Sequence, residues 1–408
     1  MSTKAPHFLS DDALKHFKTY QYSSVDKSPV SYYVLRHYWN FCVEFLPLWL
    51  APNMVTLLGF FFVIGNIALL NAMDPELEGP PQAWVAYSYA FGVWAYSTMD
   101  NIDGKQARRT GTSSGLGELF DHGIDSLNCT LASLLETSAM ALGSTKIGAF
   151  TALVPCLPMY FSCWETYHTH TLYLGYFNGP TEGLMIASTI MAASGYFGPR
   201  IWREPVADLV GFKHILGDIS FLDIWVPLIV GAFFVGHLPS CVLNVIEARR
   251  ARKQPIAPVF VEWAQMIVFT GSLLAWLGSP YSSLLRDNHL CLLCLTLSFV
   301  FGRMTTKIIL AHLTRQPFPT WTFLLNPLVL GAILVWLPLF GLEPVSADVE
   351  LYFLWSYFVL AVIVYFRWAY LVINAICDYL GIRCLTIPQE KVEAARRQQQ
   401  AEQASKRK

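Results

Sequence analysis

Long blocks of apolar residues run through this sequence and restrict what the chain can fold into. Residues 54–72, for example, contain no charged side chain. A run of about 20 apolar residues is long enough for a helix to cross a lipid bilayer. A helix also pairs its backbone polar groups internally, which an open sheet in lipid cannot do. The pattern therefore predicts an all-α, polytopic membrane protein.

Composition supports a membrane domain. Charged residues make up 14% of the 408 residues and hydrophobic residues 54%, whereas a soluble domain carries about a quarter charged residues. The net charge is −1 and no basic stripe with interleaved aromatic residues occurs, so we expect no nucleic-acid partner. The nine cysteines are scattered, and Cys291 and Cys294 lack further zinc ligands nearby. Neither a disulfide framework nor bound zinc is predicted.

We predict about ten membrane-spanning helices. They lie near residues 54–72, 83–99, 117–142, 146–165, 183–199, 221–246, 258–279, 289–312, 321–341 and 351–377. Residues 29–50, ahead of the first span, mix aromatic with charged side chains, which is typical of an amphipathic helix at the membrane interface. Residues 389–408 are rich in Gln, Ala and charges, and we expect a solvated tail there, either a fraying helix or disordered.

Loop charge predicts the orientation of these spans. Loops 104–116 and 247–256 are basic, whereas loops 73–82 and 341–350 are acidic. Basic loops tend to stay in the cytosol. We therefore expect both termini and loop 104–116 to face the cytosol.

Four aspartates meet at the junction of the second and third predicted spans. Asp100 and Asp103 are three residues apart, and Asp121 and Asp125 are four apart, so each pair shares one helix face. A single Asp could be a helix cap, but four near a bilayer are costly and mark a function. Hard oxygen ligands favour Mg²⁺ or Mn²⁺. Two such ions can clamp the attacking and leaving oxygens of a phosphoryl transfer.

Small residues and an arginine surround these aspartates. Gly104 follows Asp103 directly, so a phosphate could approach the backbone there without hindrance from a side chain. Ala107 and Gly117 are small enough to leave room beside bound ions. Arg108 can pair with phosphate oxygens through two parallel hydrogen bonds. The junction therefore suits a phosphorylated ligand.

Together these positions form the pattern D-G-x-x-A-R-x8-G-x-x-x-D-x-x-x-D from residue 103 to residue 125, preceded by Asp100. This pattern resembles the signature of the class-I CDP-alcohol phosphatidyltransferase family. The stretches A-P-N-M-V-T-L-L-G at 51–59 and W-E-T-Y-H-T-H at 164–170 are similar to its eukaryotic choline/ethanolamine phosphotransferase branch, above all to fungal members. We divide the chain into a cytosolic segment with the interfacial helix (1–50), a catalytic core (51–200), further transmembrane helices (201–385) and a cytosolic tail (386–408).

The resemblance implies a reaction and a set of ligands. The four aspartates are expected to hold two divalent ions, Mg²⁺ or Mn²⁺, beneath the pyrophosphate of CDP-ethanolamine or CDP-choline. The nucleotide would lie along residues 103–108, with Asn53 reaching the phosphates, although Asn53 is also a good helix N-cap. A diacylglycerol hydroxyl would attack the β-phosphate, release CMP and form phosphatidylethanolamine or phosphatidylcholine. An endoplasmic reticulum location and a homodimer are expected as well.

A lipid hydroxyl needs a base to accept its proton. Asp125 is one candidate, although a metal ligand is a poor free base. His122 is the other, with a pKa suited to neutral pH. In similar enzymes the equivalent histidine is paired with a glutamate further along the chain, which here would be Glu182. The alternative for Glu182 is a charge favoured at a helix N-terminus.

Several alternatives remain open at this stage. The acceptor could be water-soluble, such as inositol, in which case Lys105 and Arg109 are the spare bases that would bind it. A channel or transporter could also carry acidic side chains, although usually near the midplane and in repeats. Glu165, His168 and His170 form a second cluster, for which a hydrogen-bonding role is expected rather than zinc. Trp94, Tyr96, Trp164, Tyr167 and Tyr173 could face a quaternary ammonium or form the interfacial aromatic belt.

Overall fold

The computed structural model describes residues 9–176, 178–210 and 217–406. Its helices are α1 (Asp11–Lys15), α2 (Arg36–Glu44), α3 (Pro52–Met73), α4 (Ala83–Arg109), α5 (Gly115–Ala139), α6 (Lys146–Leu153), α7 (Cys156–Thr169), α8 (Leu184–Phe197), α9 (Val206–Val210), α10 (Phe221–Gly231), α11 (Leu238–Ala251), α12 (Ala264–Gly278), α13 (Leu290–Thr314), α14 (Leu325–Leu334), α15 (Ala347–Leu380) and α16 (Gln389–Lys406). Within the described residues, the only strands are β1 (Ser24–Asp26) and β2 (Leu172–Leu174), which pair in parallel. The predicted all-α fold is confirmed.

Six helical segments in the described part of the chain are long and apolar enough to cross a membrane. They are Pro52–Met73, Lys146–Thr169, Phe221–Ala251, Ala257–Gly278, Leu290–Thr314 and Ala347–Leu380. The chain is therefore a multi-pass membrane protein, while the number of ten spans stays a prediction. The expected span 321–341 is divided into the ten-residue helix α14 and a short 3₁₀ helix, Leu337–Phe340. At 1.5 Å per residue, α14 covers about half of the hydrocarbon core.

Helices α5 and α13 form the centre of the bundle. Both are buried along most of their length, and glycines let them approach closely. A Cβ at Gly302 would lie 2.8 Å from the side chain of Leu127, and one at Gly123 would lie 3.3 Å from Thr306. The hydroxyl of Ser298 donates to the carbonyl of Leu127 at 2.9 Å. This contact positions α5, which carries two of the predicted aspartates.

Helices α3 and α4 pack against each other as an antiparallel pair. Asn66 donates to the carbonyl of Ser88 at 2.7 Å, and the Ser88 hydroxyl donates back to Asn66 at 2.7 Å. At two points the helices are too close for any residue larger than glycine. A Cβ at Gly59 would lie 2.9 Å from Met99, and one at Gly92 would lie only 2.1 Å from Asn66. The start of α3 is thereby held beside the end of α4.

The two terminal regions lie on the outside of the bundle. Around α2, Tyr33, Phe41 and Phe45 are exposed, which is the aromatic surface that an interfacial helix requires. Most described residues of α16 are exposed, but one side of this helix is docked. Its Val392 is buried against Leu48, and such burial of apolar surface is favourable in water.

A buried carboxylate ties α15 to the turn before α13. Glu350 accepts hydrogen bonds from the Trp276 indole at 2.7 Å, from the Ser282 hydroxyl at 2.7 Å, and from the backbone and hydroxyl of Ser283 at 2.7 Å each. Buried charges are tolerated when they are satisfied in this way. Trp276 is therefore fixed in place.

Gly331 of α14 packs on this immobile indole, and we predict that Gly331→Ala lowers stability. The added Cβ would lie 2.3 Å from the Trp276 ring, and such overpacking typically costs about 1–3 kcal/mol. Thermal unfolding in detergent should show a lower midpoint. The matched control is Gly271→Ala on α12, where nothing lies within 4 Å of the new Cβ. Equal midpoints for the two variants would contradict the packing described here.

Candidate active site

Two helix ends bring the four aspartates together. Helix α4 contributes Asp100 and Asp103 in its last turns, and α5 contributes Asp121 and Asp125 in its first half. The turn between these helices contains Gly111, whose φ of +62° is a left-handed conformation that glycine adopts without strain. The carboxyl groups of Asp100 and Asp103 lie next to that of Asp121, and Asp100 also lies next to Asp125. The predicted grouping is present.

The chemistry of this cluster fits a divalent cation. Asp100 Oδ1 and Asp121 Oδ1 are buried and have no hydrogen-bond partner among the described residues. Buried carboxylate oxygens without donors are strongly unfavourable. One ligand atom each from Asp121, His122 and Asp125 lies within 4.8 Å of the others, which makes these three residues a possible metal site.

Two hydroxyl groups support the aspartates from neighbouring helices. The Thr56 hydroxyl donates to Asp103 Oδ2, and the buried Tyr96 hydroxyl donates to Asp125 Oδ1 at 2.5 Å. Neither contact was predicted from the sequence. Tyr96 lies four residues before Asp100, so their shared helix face was a signal that could have found it. Tyr96 is thus buried and its hydroxyl is committed to Asp125.

His122 lies inside the aspartate cluster. Its Nδ1 is 3.5 Å from Asp125 Oδ2 and 3.8 Å from Asp121 Oδ2. An imidazole this close to two carboxylates is oriented by them. The structure therefore places His122 at the predicted site and pairs it with residues of its own helix.

Glu182 is bonded to groups other than His122 in the structure, so the pairing of these two residues stays a prediction. The Glu182 carboxylate accepts from the hydroxyl of Ser28 and from the backbone N–H of Asn178 at 3.0 Å. Asn178 in turn caps the same helix start by accepting from the N–H of Thr181 at 2.9 Å. A carboxylate in the first turn of a helix satisfies free N–H groups and the local dipole. This was the alternative that the sequence left open.

A different carboxylate lies near His122. Glu118, one turn earlier on α5, accepts from the hydroxyl of Tyr20, and its Oε1 is 3.9 Å from His312 Nε2. Burial, followed by the Glu118 carboxylate, raises the pKa of Tyr20 well above its ordinary value, so Tyr20 stays protonated and donates. His312 stacks on His170, with ring centroids 5.1 Å apart. The N-terminal segment thus contributes directly to the site.

The predicted phosphate-binding residues also lie at this end of the bundle. The Arg108 side chain is exposed and forms no ion pair among the described residues. Its Nη1 lies 3.6 Å from the position that a Cβ on Gly104 would take.

Asn53 lies close to Gly117, because its Oδ1 would be 3.7 Å from a Cβ added at Gly117. Asn53 is not a helix N-cap, because α3 begins at Pro52 with Ala51 as its cap. Its amide donates to the carbonyl of Cys384 at 3.0 Å. Ala107, between Gly104 and Arg108 in the pattern, is partly buried at the end of α4.

The second cluster predicted from the sequence is divided among separate partners. Glu165 accepts from Asn244 at 2.5 Å, whereas His168 Nε2 lies 2.7 Å from Glu262 Oε2. The same Glu262 oxygen accepts from the buried Trp164 indole at 2.8 Å. These contacts join α7 to the segments that follow it, as the expected hydrogen-bonding role requires. Trp164 is therefore not available to a headgroup.

Comparison with known proteins then decides the family. A family model described as CDP-alcohol phosphatidyltransferase matches residues 49–197. The chain is 36% identical to cholinephosphotransferase 1 of Saccharomyces cerevisiae over 78% of this chain and 81% of that protein. It is 33% identical to choline/ethanolaminephosphotransferase 1 of Arabidopsis thaliana, over 91% and 96%, and 32% identical to choline/ethanolaminephosphotransferase 1 of Saccharomyces cerevisiae, over 95% and 99%.

The chain belongs to the CDP-alcohol phosphatidyltransferase family. This confirms the family predicted from the aspartate pattern, and the relatives support a CDP-alcohol phosphotransferase of the choline/ethanolamine type. The matched region contains all four aspartates, His122 and Glu182. Because the relatives' names include both headgroups, they do not select between choline and ethanolamine.

We predict that Asp121→Asn weakens binding of a divalent ion by about tenfold or more, since a ligand charge is lost from a half-buried cluster. Mn²⁺ titration of the purified protein, followed by electron paramagnetic resonance, measures this without turnover. Asp378→Asn is the matched control, because Asp378 is exposed on α15. If both variants bound Mn²⁺ as the unchanged protein does, Asp121 would not be a ligand.

Proposed function

We propose that this enzyme transfers phosphoethanolamine, phosphocholine or both from the CDP-alcohol to diacylglycerol. The products are CMP and phosphatidylethanolamine or phosphatidylcholine. The observation that carries this proposal is the half-buried group of four aspartates, two of whose carboxylate oxygens are buried and lack donors among the described residues, in a chain related over most of its length to choline/ethanolaminephosphotransferases. We further propose that the enzyme is a homodimer of the endoplasmic reticulum membrane with its active site at the cytosolic face.

In this proposal the aspartates hold two divalent ions, Mg²⁺ or Mn²⁺. Bound there, the ions would neutralise charge on the pyrophosphate of the CDP-alcohol. Arg108 is exposed and positioned over Gly104, so its guanidinium is free to bind phosphate oxygens through paired hydrogen bonds. Gly104 and Ala107 leave the end of α4 uncrowded. Asn53 and Gly117 form the opposite side of the phosphate site.

His122 is the proposed proton acceptor for the diacylglycerol hydroxyl. Its imidazole is oriented through Nδ1 by Asp125 at 3.5 Å, which leaves Nε2 as the nitrogen that can accept a proton. Asp125 is the weaker candidate, because Tyr96 already donates to one of its oxygens and His122 lies against the other. Once the hydroxyl oxygen bonds to the β-phosphate, the bond to CMP breaks.

Two features argue against a water-soluble acceptor such as inositol or glycerol phosphate. Lys105 donates to Asn40 at 2.8 Å, and Arg109 donates to the carbonyls of Val43 and Leu46 at 2.7 and 2.8 Å. The two basic side chains that could bind such an acceptor are thus occupied in holding α2 against α4.

A channel or transporter function is disfavoured by the family and by the position of the aspartates at helix ends.

Release of CMP tests the reaction. Purified protein given CDP-ethanolamine or CDP-choline, diacylglycerol and Mg²⁺ should release CMP, and His122→Gln should lower kcat by about 100-fold or more with little change in KM. Glu182→Gln is the informative comparison, because the structure gives Glu182 a helix-capping role. It should keep kcat close to that of the unchanged protein. A loss as large as that of His122→Gln would support the pairing predicted from the sequence.

Headgroup preference is tested by competition. We expect that both CDP-ethanolamine and CDP-choline, supplied together at equal concentration, yield lipid product. The aromatic faces first considered for a quaternary ammonium include Tyr96 and Trp164, and both side chains are buried in hydrogen bonds. A cage selective for choline therefore lacks two of its candidates. Exclusive formation of phosphatidylcholine would contradict this expectation.

A further inference from the structure

Two cationic side chains lie on one face of α13, and no ion pair among the described residues joins them to the aspartates. Arg303 is near the middle of this 25-residue helix, and Lys307 follows one turn later. Thr306 packs against Gly123 of α5, so the face of α13 that contains Thr306 is directed at α5. Since successive residues are about 100° apart around a helix, Arg303 and Lys307 occupy the neighbouring face.

Arg303 has no anionic partner in the described part of the chain. Its guanidinium lies over the ring of the buried Trp368, 5.2 Å from the ring centroid. Its Nε and Nη1 are buried and have no hydrogen-bond partner among the described residues. A guanidinium is permanently charged and carries five N–H donors. An arginine within a membrane domain normally pairs with an anion or a carbonyl, and its presence there usually marks a function.

Lys307 is bonded to a carbonyl and not to a carboxylate. Its Nζ donates to the carbonyl of Trp321 at 2.7 Å. Trp321 belongs to residues 316–322, which have no regular secondary structure, and its side chain is exposed. Among the residues that the structure describes, no acidic side chain forms an ion pair with Arg303 or Lys307. Within a membrane, an irregular segment such as residues 316–322 is tolerated where its backbone is buried in protein or borders a polar space.

We propose that Arg303 and Lys307 bind the phosphate of an anionic glycerophospholipid from the bilayer, at a site separate from the aspartate cluster. Phosphate oxygens can accept paired hydrogen bonds from a guanidinium, which would satisfy the free donors of Arg303. The exposed Trp321, Phe323 and Phe366 offer apolar surface to acyl chains. A net negative headgroup is preferred, because the ammonium of a zwitterionic lipid would meet two cations that, among the described residues, have no carboxylate paired with them.

Thermal unfolding of the delipidated, full-length protein in detergent tests this site. A ligand that binds only the folded state raises the unfolding midpoint, and the stabilisation grows with the logarithm of ligand concentration once that concentration exceeds Kd. Phosphatidylglycerol should therefore raise the midpoint at concentrations about tenfold lower than phosphatidylcholine does, and inorganic phosphate should have no effect. Arg303→Gln should abolish the preference for phosphatidylglycerol. Arg303→Lys, which keeps the charge, should retain most of it.

The control variant is Arg250→Gln, which removes an exposed arginine from α11 and should leave the response to phosphatidylglycerol unchanged. If Arg303→Gln does not fold, Lys307→Gln takes its place with the same expected loss. An unchanged preference in these variants would overturn the proposal. Equal stabilisation by inorganic phosphate would also overturn it, in favour of a free phosphate site. So would dissociation of an oligomer in Arg303→Gln, which would assign the cations to contact with a second copy.

Discussion

Repulsion between four carboxylates held at one place is the interaction on which the rest of this structure depends. Asp100, Asp103, Asp121 and Asp125 come from two helices whose axes are fixed by packing elsewhere, so the carboxylates cannot move apart to relieve their charge. Unit charges a few ångströms apart in a protein interior interact far more strongly than in water. Bound cations and donated hydrogen bonds are the available compensation. The hydroxyls of Thr56 and Tyr96 supply two such bonds.

The close approach of α3, α4 and α5 is therefore part of the site as well as of the fold. Gly59 and Gly92 allow α3 and α4 to touch, and Gly123 and Gly302 allow α5 to lie against α13. Chain segments that are distant in sequence then close over the same end of the bundle. Tyr20 reaches Glu118, Ser28 reaches Glu182, and the carbonyl of Cys384 reaches Asn53. The family pattern covers residues 49–197, yet its residues are held by parts of the chain on both sides.

Local spacing predicted most of what depends on a single helix. The aspartates were found because residues three and four apart share a helix face, and six of the apolar blocks correspond to long apolar helices. Predictions that required two separate segments to meet have less support in the structure. Glu182 was expected at His122, but its carboxylate caps its own helix start. The tail was expected in solvent, but Val392 is buried against Leu48. Such contacts leave no periodic pattern in the sequence.

The sequence by itself determined that this chain is a helical membrane protein of the CDP-alcohol phosphatidyltransferase family with four aspartates at one junction. Hydrophobicity and helical spacing are local properties, so they can be read without knowing the fold. Only the tertiary structure decided which groups bind Glu182, which hydroxyls support the aspartates, and that Nε and Nη1 of Arg303 are buried without a hydrogen-bond partner among the described residues. These depend on which helix faces meet, and that is set by packing between residues far apart in the chain.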